Sequence, residues 1–278
     1  MEYIPFGVPR LDGIIGGGAP PGNVVLLAGE SGAGAREFLY TSVTMNGLAH
    51  ADEELFDLHY GTLDESASPP PEIHYVSFTS GGSYLHREMG YTMDDEIVDA
   101  ATEHIEFHDL SSEYFQLSAI PREWYLGQTT TLDDLGSRHN RESVLNALGT
   151  TLSEHAPGNL VVIDSVTDLL AGISDEMSWS DIAMVMKGLA TASHRWGGLI
   201  LVLVSTEALT DTQLGLLKGA ADGTLQFSWE SGGSKRARTM VVQEFRGVLS
   251  QLESENIVQF ETEINESGLD VSDVRKIR

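Results

Sequence analysis

The stretch Asn23-Val24-Val25-Leu26-Leu27-Ala28-Gly29-Glu30-Ser31-Gly32-Ala33-Gly34-Ala35-Arg36 decides how this chain reads. Val24–Ala28 is an unbroken aliphatic run, as expected of a strand covered on both faces, which has no need of polar alternation. A glycine-rich turn follows, and residues from about Arg36 to Leu48 read as a helix. Outward from this unit, Leu160–Ile163 and Leu199–Val204 repeat the buried-strand pattern, and His74–Phe78 and His104–His108 read as shorter strands. Helices are predicted around Tyr84–Met89, Asp94–Glu103, Arg141–His155 and Ser178–Trp196; Val144, Leu148 and Leu152 form one stripe on the third. After Val204 the pattern changes to Thr224–Trp229, Thr239–Phe245 and Ile257–Ile264, which read as shorter antiparallel strands. The expectation is an α/β fold: a doubly wound, mostly parallel sheet with antiparallel strands added at the C-terminal end. No internal repeat is visible. A single domain over 1–278 is expected, because a split in the aperiodic region Leu110–Arg138 would leave neither half a complete sheet. Residues 49–72 are acidic, then Ser/Pro-rich, and end in Pro69-Pro70-Pro71 and Glu72; they read as a surface insertion.

Composition narrows the function. The 278 residues carry 42 Asp+Glu against 16 Lys+Arg, a formal net charge of −26, and no cysteine. A disulfide scaffold, a thiolate zinc site, an iron–sulfur cluster and a cysteine nucleophile are therefore excluded. No apolar run approaches the roughly 18–20 residues of a membrane span. The acidic start Met1-Glu2 lacks the basic flank of a secretory signal, so a cytoplasmic location is expected. The acidic field disfavours nucleic acid, whose phosphates call for Lys and Arg. Only Lys187, Lys218, Lys235 and Lys276 are lysines; strong acidity with few lysines predicts solubility in high salt and a halophilic source.

Two segments carry candidate chemistry. A phosphate-binding loop reads G-x-x-x-x-G-K-[ST]. Gly29 and Gly34 stand at the framing spacing, but Ala35 occupies the lysine position and Arg36 the hydroxyl position. The lysine would reach the β- and γ-phosphates and the hydroxyl would bind Mg²⁺; alanine does neither, and Arg36 could pair with a phosphate but not ligate a cation. What remains is the backbone of Ser31, Gly32, Gly34, Ala35 and Arg36 at a helix N-terminus, which is able to cradle an anion. The spacing alone is equally compatible with a tight turn that binds nothing. The second segment is Leu160-Val161-Val162-Ile163-Asp164-Ser165. An Asp at the carboxyl end of such a strand is placed to hold the Mg²⁺ of a nucleotide, or else to cap the next turn.

The run Phe6–Gly22 (FGVPRLDGIIGGGAPPG) resembles the N-terminal signature of the KaiC-like branch of the RecA superfamily of P-loop ATPases. Val162–Leu170 resembles that family's Walker B strand with its "DS-hydrophobic-T" continuation. Ala221-Asp222-Gly223 and Arg238–Gly247 resemble its late hairpin region, and Phe260–Val271 its closing strand. The resemblance, of a haloarchaeal type, spans nearly the whole chain. It implies a RecA-like ATPase core with ATP and Mg²⁺ held between subunits of a ring or filament, and Asp164 as the metal ligand.

The departures from that pattern bear on activity. The Walker A motif is degenerate at Ala35 and Arg36. The one or two glutamates that the family carries after the second strand are absent, where Thr79-Ser80-Gly81 stands. In its late K-x-R-G element, which reaches a neighbour's nucleotide, Arg246 is kept but Glu244 replaces the lysine. One lost charge-assisted phosphate contact is worth about 1.5–3 kcal/mol, and a lost trans residue costs about 10³–10⁵ in rate. A pseudo-ATPase is expected, with weak or no nucleotide binding and a regulatory or scaffolding role in signalling. It would form a homo-oligomer or pair with an active KaiC-like paralogue. The alternative is a working ATPase with a divergent site that uses Arg36, Asp164, Arg246 and a neighbour's Lys235. The basic cluster Gly232-Gly233-Ser234-Lys235-Arg236-Ala237-Arg238 reads as a hairpin turn, as a reach into a partner's site, or as a contact to nucleic acid. His104 and His108, about 13 Å apart on one strand face, do not make a metal pair.

Overall fold

In a computed structural model of the chain, residues 2–116, 118–125, 144–173, 179–232, 235–254 and 257–276 are described. The first half runs α1 (Pro9–Ile15), β1 (Asn23–Gly29), α2 (Ala35–Ala51), α3 (Glu53–His59), β2 (Ile73–Ser77), α4 (Gly82–Gly90), α5 (Asp95–Thr102), β3 (Ile105–Asp109) and α6 (Ser111–Phe115). It continues with α7 (Val144–His155), β4 (Leu160–Asp164), α8 (Val166–Ile173), α9 (Trp179–Trp196), β5 (Leu199–Ser205) and α10 (Asp211–Lys218). The tail is β6 (Gly223–Gly232), β7 (Lys235–Phe245), α11 (Leu249–Ser254), β8 (Ile257–Asn265) and β9 (Gly268–Lys276).

The strands form one sheet in the order β3-β2-β4-β5-β1-β6-β7-β8-β9. Pairings from β3 through β6 are parallel and those from β6 to β9 antiparallel. This is the doubly wound, RecA-like arrangement expected. Alternation along β1 sends Val25 and Leu27 into one apolar layer with Phe38 of α2, Leu85 of α4 and Val98 of α5. Val24, Leu26 and Ala28 face the other layer, with Leu148 of α7, Leu169 of α8 and Met186 of α9. Both faces of β1 are thus covered, and all seven of its residues are buried.

Several expectations change. Thr224–Trp229 belongs to β6, which pairs in parallel with β1 on one side and antiparallel with β7 on the other; β6 and β7 are ten and eleven residues long rather than short. Phe260–Val271 is not one closing strand but most of the hairpin β8–β9, turning at Glu266-Ser267. A Cβ at Gly268, whose φ is +99°, would overlap the Thr41 hydroxyl, so the turn sits against α2 without room for a side chain. The stretch 49–72, read as an insertion, contains the end of α2 and all of α3, with Phe56 buried. Its later residues are stitched to the N-terminus: Tyr3 N–H donates to the Ser66 carbonyl at 2.8 Å and Ser68 N–H to the Tyr3 carbonyl at 2.9 Å. In the Leu110–Arg138 region, residues 117 and 126–138 lie outside the described residues, and Trp124 is 76% exposed.

Motif residues of the N-terminal run do structural work. Asp12 is buried, and its carboxylate accepts hydrogen bonds from the N–H groups of Phe6, Gly7 and Val8 and from the Tyr60 hydroxyl. It therefore folds the entry segment onto α1 and α3. Asp222 plays a similar part at β6, accepting from Val24 N–H while its own N–H donates to the Val24 carbonyl. Burial pushes the Asp12 carboxyl up to about 7, against the pull of its four donors. The folded value then lies above the unfolded one, so the native state binds more protons between them. Relative to Asp12→Asn, wild-type stability should fall as pH rises from about 4 to about 7 and level off above that. Urea midpoints of the two proteins across this range check the sign; a gap that does not change with pH would contradict it.

Candidate functional site

The loop between β1 and α2 has the backbone shape that its glycines require. Gly32 and Gly34 have φ of +70° and +112°. A Cβ at Gly29 would come within 2.5 Å of the Ala35 Cβ, so strand end and helix start approach too closely for any side chain there. Gly34 is the N-cap of α2, and Ala35 is its first residue and buried. The loop borders an open cleft of about 350 Å³, lined also by Glu30, Glu37, Ser165 and Ser205. Gly29, Ser31, Gly32, Gly34, Ala35 and Arg36 therefore share one site, at the carboxyl ends of β1, β4 and β5, where open α/β sheets bind ligands.

Arg36 and Asp164 meet at this site. Arg36 Nη2 donates to Asp164 Oδ1 at 2.8 Å, and the Tyr75 hydroxyl donates to Asp164 Oδ2 at 2.6 Å. The Asp164 side chain is 7% exposed and that of Arg36 52%. Each carboxylate oxygen thus has a donor, one from the start of α2 and one from β2. Burial disfavours the charge on Arg36, but the Asp164 carboxylate, with Tyr40 and Tyr75, more than offsets this and holds the guanidinium above its ordinary value. Burial, then the Asp164 charge, raises the Tyr75 phenol well above its usual range, keeping it a donor. The position read as a Mg²⁺ ligand is engaged by a cation from the same chain.

The rest of the Asp-Ser-Val-Thr segment is structural. Ser165 Oγ donates to Asp168 Oδ2 at 2.6 Å and accepts from Asp168 N–H, closing the first turn of α8. Thr167 Oγ1 accepts from Ser205 N–H at 2.8 Å, which ties α8 to the end of β5. After β2, where a glutamate was missed in the sequence, Ser77 Oγ accepts from the N–H groups of Thr79 and Ser80.

Trp229 escaped the sequence reading, and Arg238, read as part of the basic cluster, turns to the loop of its own chain. The Trp229 indole N–H donates to the Ser31 carbonyl at 3.0 Å, and Arg238 Nε donates to the Gly32 carbonyl at 3.0 Å. Trp229 N–H also donates to Glu30 Oε2 at 3.1 Å. Arg236 and Arg238 lie over the Trp229 ring at 4.0 and 4.8 Å. The β6–β7 hairpin thus latches its own chain's loop, and two arginines of the basic cluster are spent on that latch. The available signal was the aromatic–basic pairing, since Trp229 and Arg238 face each other across the hairpin. Lys235 opens β7 opposite Gly232. Arg246 and Glu244 lie at the far end of the same hairpin: Glu244 pairs with Thr224, which in turn stands beside Leu26 in the middle of β1, so neither joins the loop of its own chain.

Comparison with solved structures places this geometry. A KaiC-like protein from the hyperthermophilic archaeon Pyrococcus horikoshii OT3 superposes over 98% of this chain and 99% of its own, with a TM-score of 0.59 and 17% identity. The fold is KaiC-like. No protein-family model matches the sequence, and no curated protein matches it. At this identity the likeness concerns the backbone; the roles of the side chains at this site rest on their own contacts. No described helix is long and apolar enough to cross a membrane.

Asp164→Ala should destabilise the protein by about 1–3 kcal/mol, because the buried Tyr75 hydroxyl loses its acceptor while the half-exposed Arg36 turns to water. Tyr75→Phe should cost less. The double variant should cost less than the sum of the two, since both changes break one contact. Urea unfolding of the three variants measures this, and strict additivity would count against the shared carboxylate.

Proposed function

We propose that this protein is a KaiC-like pseudo-ATPase, a regulatory or scaffolding component that uses the fold for assembly and not for turnover. The observation that carries the reading is the Arg36–Asp164 pair. In a working site the hydroxyl after the P-loop lysine and the strand-end Asp share a divalent cation that neutralises phosphate charge. Here a guanidinium fixed to the protein stands against the carboxylate. Mg²⁺ would have to displace it, and a tethered cation beside a buried carboxylate gives way only at a cost. Ala35 supplies no phosphate clamp, and Glu30 and Glu37 add negative charge to the cleft lining. Repulsion between these acids and a triphosphate favours weak or absent ATP binding.

The same reading gives the assembly a function. The groups that would act on a neighbour's nucleotide are displaced from the loop of their own chain, with Arg246 exposed at the far end of the β6–β7 hairpin. An oligomer with copies of itself or with an active KaiC-like paralogue would let this chain lend a surface, and Arg246, to a neighbour. Cytoplasmic signalling is the setting proposed for such a partner, and nucleic acid is disfavoured by the net charge of −26.

Calorimetry with Mg·ATP, and phosphate release over a range of KCl concentrations, test the proposal. Wild type should show no turnover and weak or undetectable binding. The double variant Ala35→Lys/Arg36→Thr, which restores the clamp and frees Asp164, should gain Mg²⁺-dependent ATP affinity by about 10–100-fold. Wild-type turnover that vanishes in Asp164→Ala would overturn the pseudo-ATPase reading and favour a divergent but active site.

A further inference from the structure

A second cluster of chemically capable side chains lies away from the P-loop, towards the N-terminal ends of β2 and β4. In the parallel register of β2 and β3, His74 stands opposite Glu106 and Val76 opposite His108. Strand alternation puts His74, Glu106 and His108 on one face of the sheet. That face is covered by α7, whose last residue is His155. Three imidazoles from three elements converge: ring centroids lie 4.7 Å apart for His74–His155, 4.6 Å for His108–His155 and 5.3 Å for His74–His108. One nitrogen or oxygen atom from each of His74, Glu106, His108 and His155 lies within 4.8 Å of the others.

The spacing has a coordination reading. Around a tetrahedral ion with bonds of about 2.0–2.1 Å, neighbouring ligand atoms are about 3.3 Å apart. His74 Nδ1 is 3.1 Å from His108 Nε2 and 3.3 Å from Glu106 Oε2, and Glu106 Oε1 is 4.0 Å from His108 Nε2. A hydrogen bond between two imidazoles would account for the first distance, but not for the third ring or the carboxylate. The outer contacts fit as well. His74 Nε2 faces Glu72 Oε2 at 3.3 Å, and the same oxygen accepts from Asn159 Nδ2 at 3.0 Å. Asn159 Nδ2 in turn donates to the His155 carbonyl at 2.8 Å. A carboxylate that accepts the Nε2 proton leaves Nδ1 bare and turned into the cluster, as metal-ligating histidines are held.

We propose that His74, Glu106, His108 and His155 bind one divalent transition-metal ion of the zinc class. Three imidazoles and one carboxylate are borderline donors, suited to Zn²⁺ and poorly matched to Mg²⁺ or Ca²⁺, which select oxygen. Four protein ligands make the site structural rather than catalytic. The ion clamps the edge strand β3 and the end of α7 to β2. His104, the other histidine of the segment, is not part of it; its ring lies 6.2 Å from that of His50. The assignment is independent of the nucleotide cleft.

Protein stripped with a chelator and titrated with Zn²⁺ by calorimetry should take up one equivalent per chain, with a rise in melting temperature; Mg²⁺ should do neither. The double variant His108→Ala/His155→Ala should lose the equivalent, and His86→Asn, whose ring pairs with the exposed Asp99, should keep it. Glu72→Gln, altered at an exposed side chain, should weaken binding by about 10–100-fold. X-ray absorption of the zinc-loaded wild type should show only nitrogen and oxygen neighbours with scattering from three imidazoles, and this decides the matter if the double variant fails to fold. Folded wild type without stoichiometric uptake, uptake unchanged by the double substitution, or a spectrum lacking the imidazole signature would overturn the proposal.

Discussion

The Asp164 carboxylate is the point on which the site depends. It ends β4 in the middle of the parallel sheet and is almost fully buried, so its charge needs partners close at hand. Arg36 supplies one from the first turn of α2 and Tyr75 another from β2. Three elements that the chain visits far apart are thus locked at one carboxylate. The cation beside this carboxylate is Arg36, tethered to the first turn of α2. The loop above it is held by a second set of contacts, from Trp229 and Arg238 to the carbonyls of Ser31 and Gly32. The loop is thus latched by its own chain's hairpin, and the carboxylate is paired with its own chain's helix.

The resemblance to a KaiC-like protein is one of backbone, and the residues of the motifs read in the sequence divide into two sets. Asp12, Asp222, Ser165 and Thr167 all bond backbone groups or close a helix turn. They specify where β1, β6 and α8 begin, and such residues serve the fold whether or not a nucleotide is present. Ala35, Arg36 and Glu244 stand at the positions where the sequence resemblance predicts groups that touch phosphate or metal. The N-terminal run was legible because Asp12 bonds backbone groups four to six positions away. The strand-end Asp was legible only as a position, since Arg36 and Tyr75, which engage it, lie 128 and 89 positions away.

Legibility failed where the partner is distant along the chain. The parallel strands β1, β4 and β5 were plain from their aliphatic runs, since burial on both faces leaves no room for polar residues. β6 was misjudged because a strand that is parallel to one neighbour and antiparallel to the other has no distinct pattern of its own. The stretch 49–72 looked like solvent-facing insertion because α3 buries only Phe56 of its seven residues and displays acids elsewhere. The histidines were dismissed on the spacing of His104 and His108, when the relevant neighbours are across a strand pair and on a helix.

The sequence by itself determined the fold class, the place of the glycine-rich turn after β1 and the identity of its residues, because hydrophobic periodicity and glycine spacing are encoded over a few positions. Tertiary structure alone decided what those residues touch. Arg36 reaches Asp164 across 128 positions and Trp229 reaches Ser31 across 198. His74 meets His108 across 34. Such contacts follow from strand order and register, which are set by how the whole sheet closes around its two apolar layers and not by any short stretch of chain.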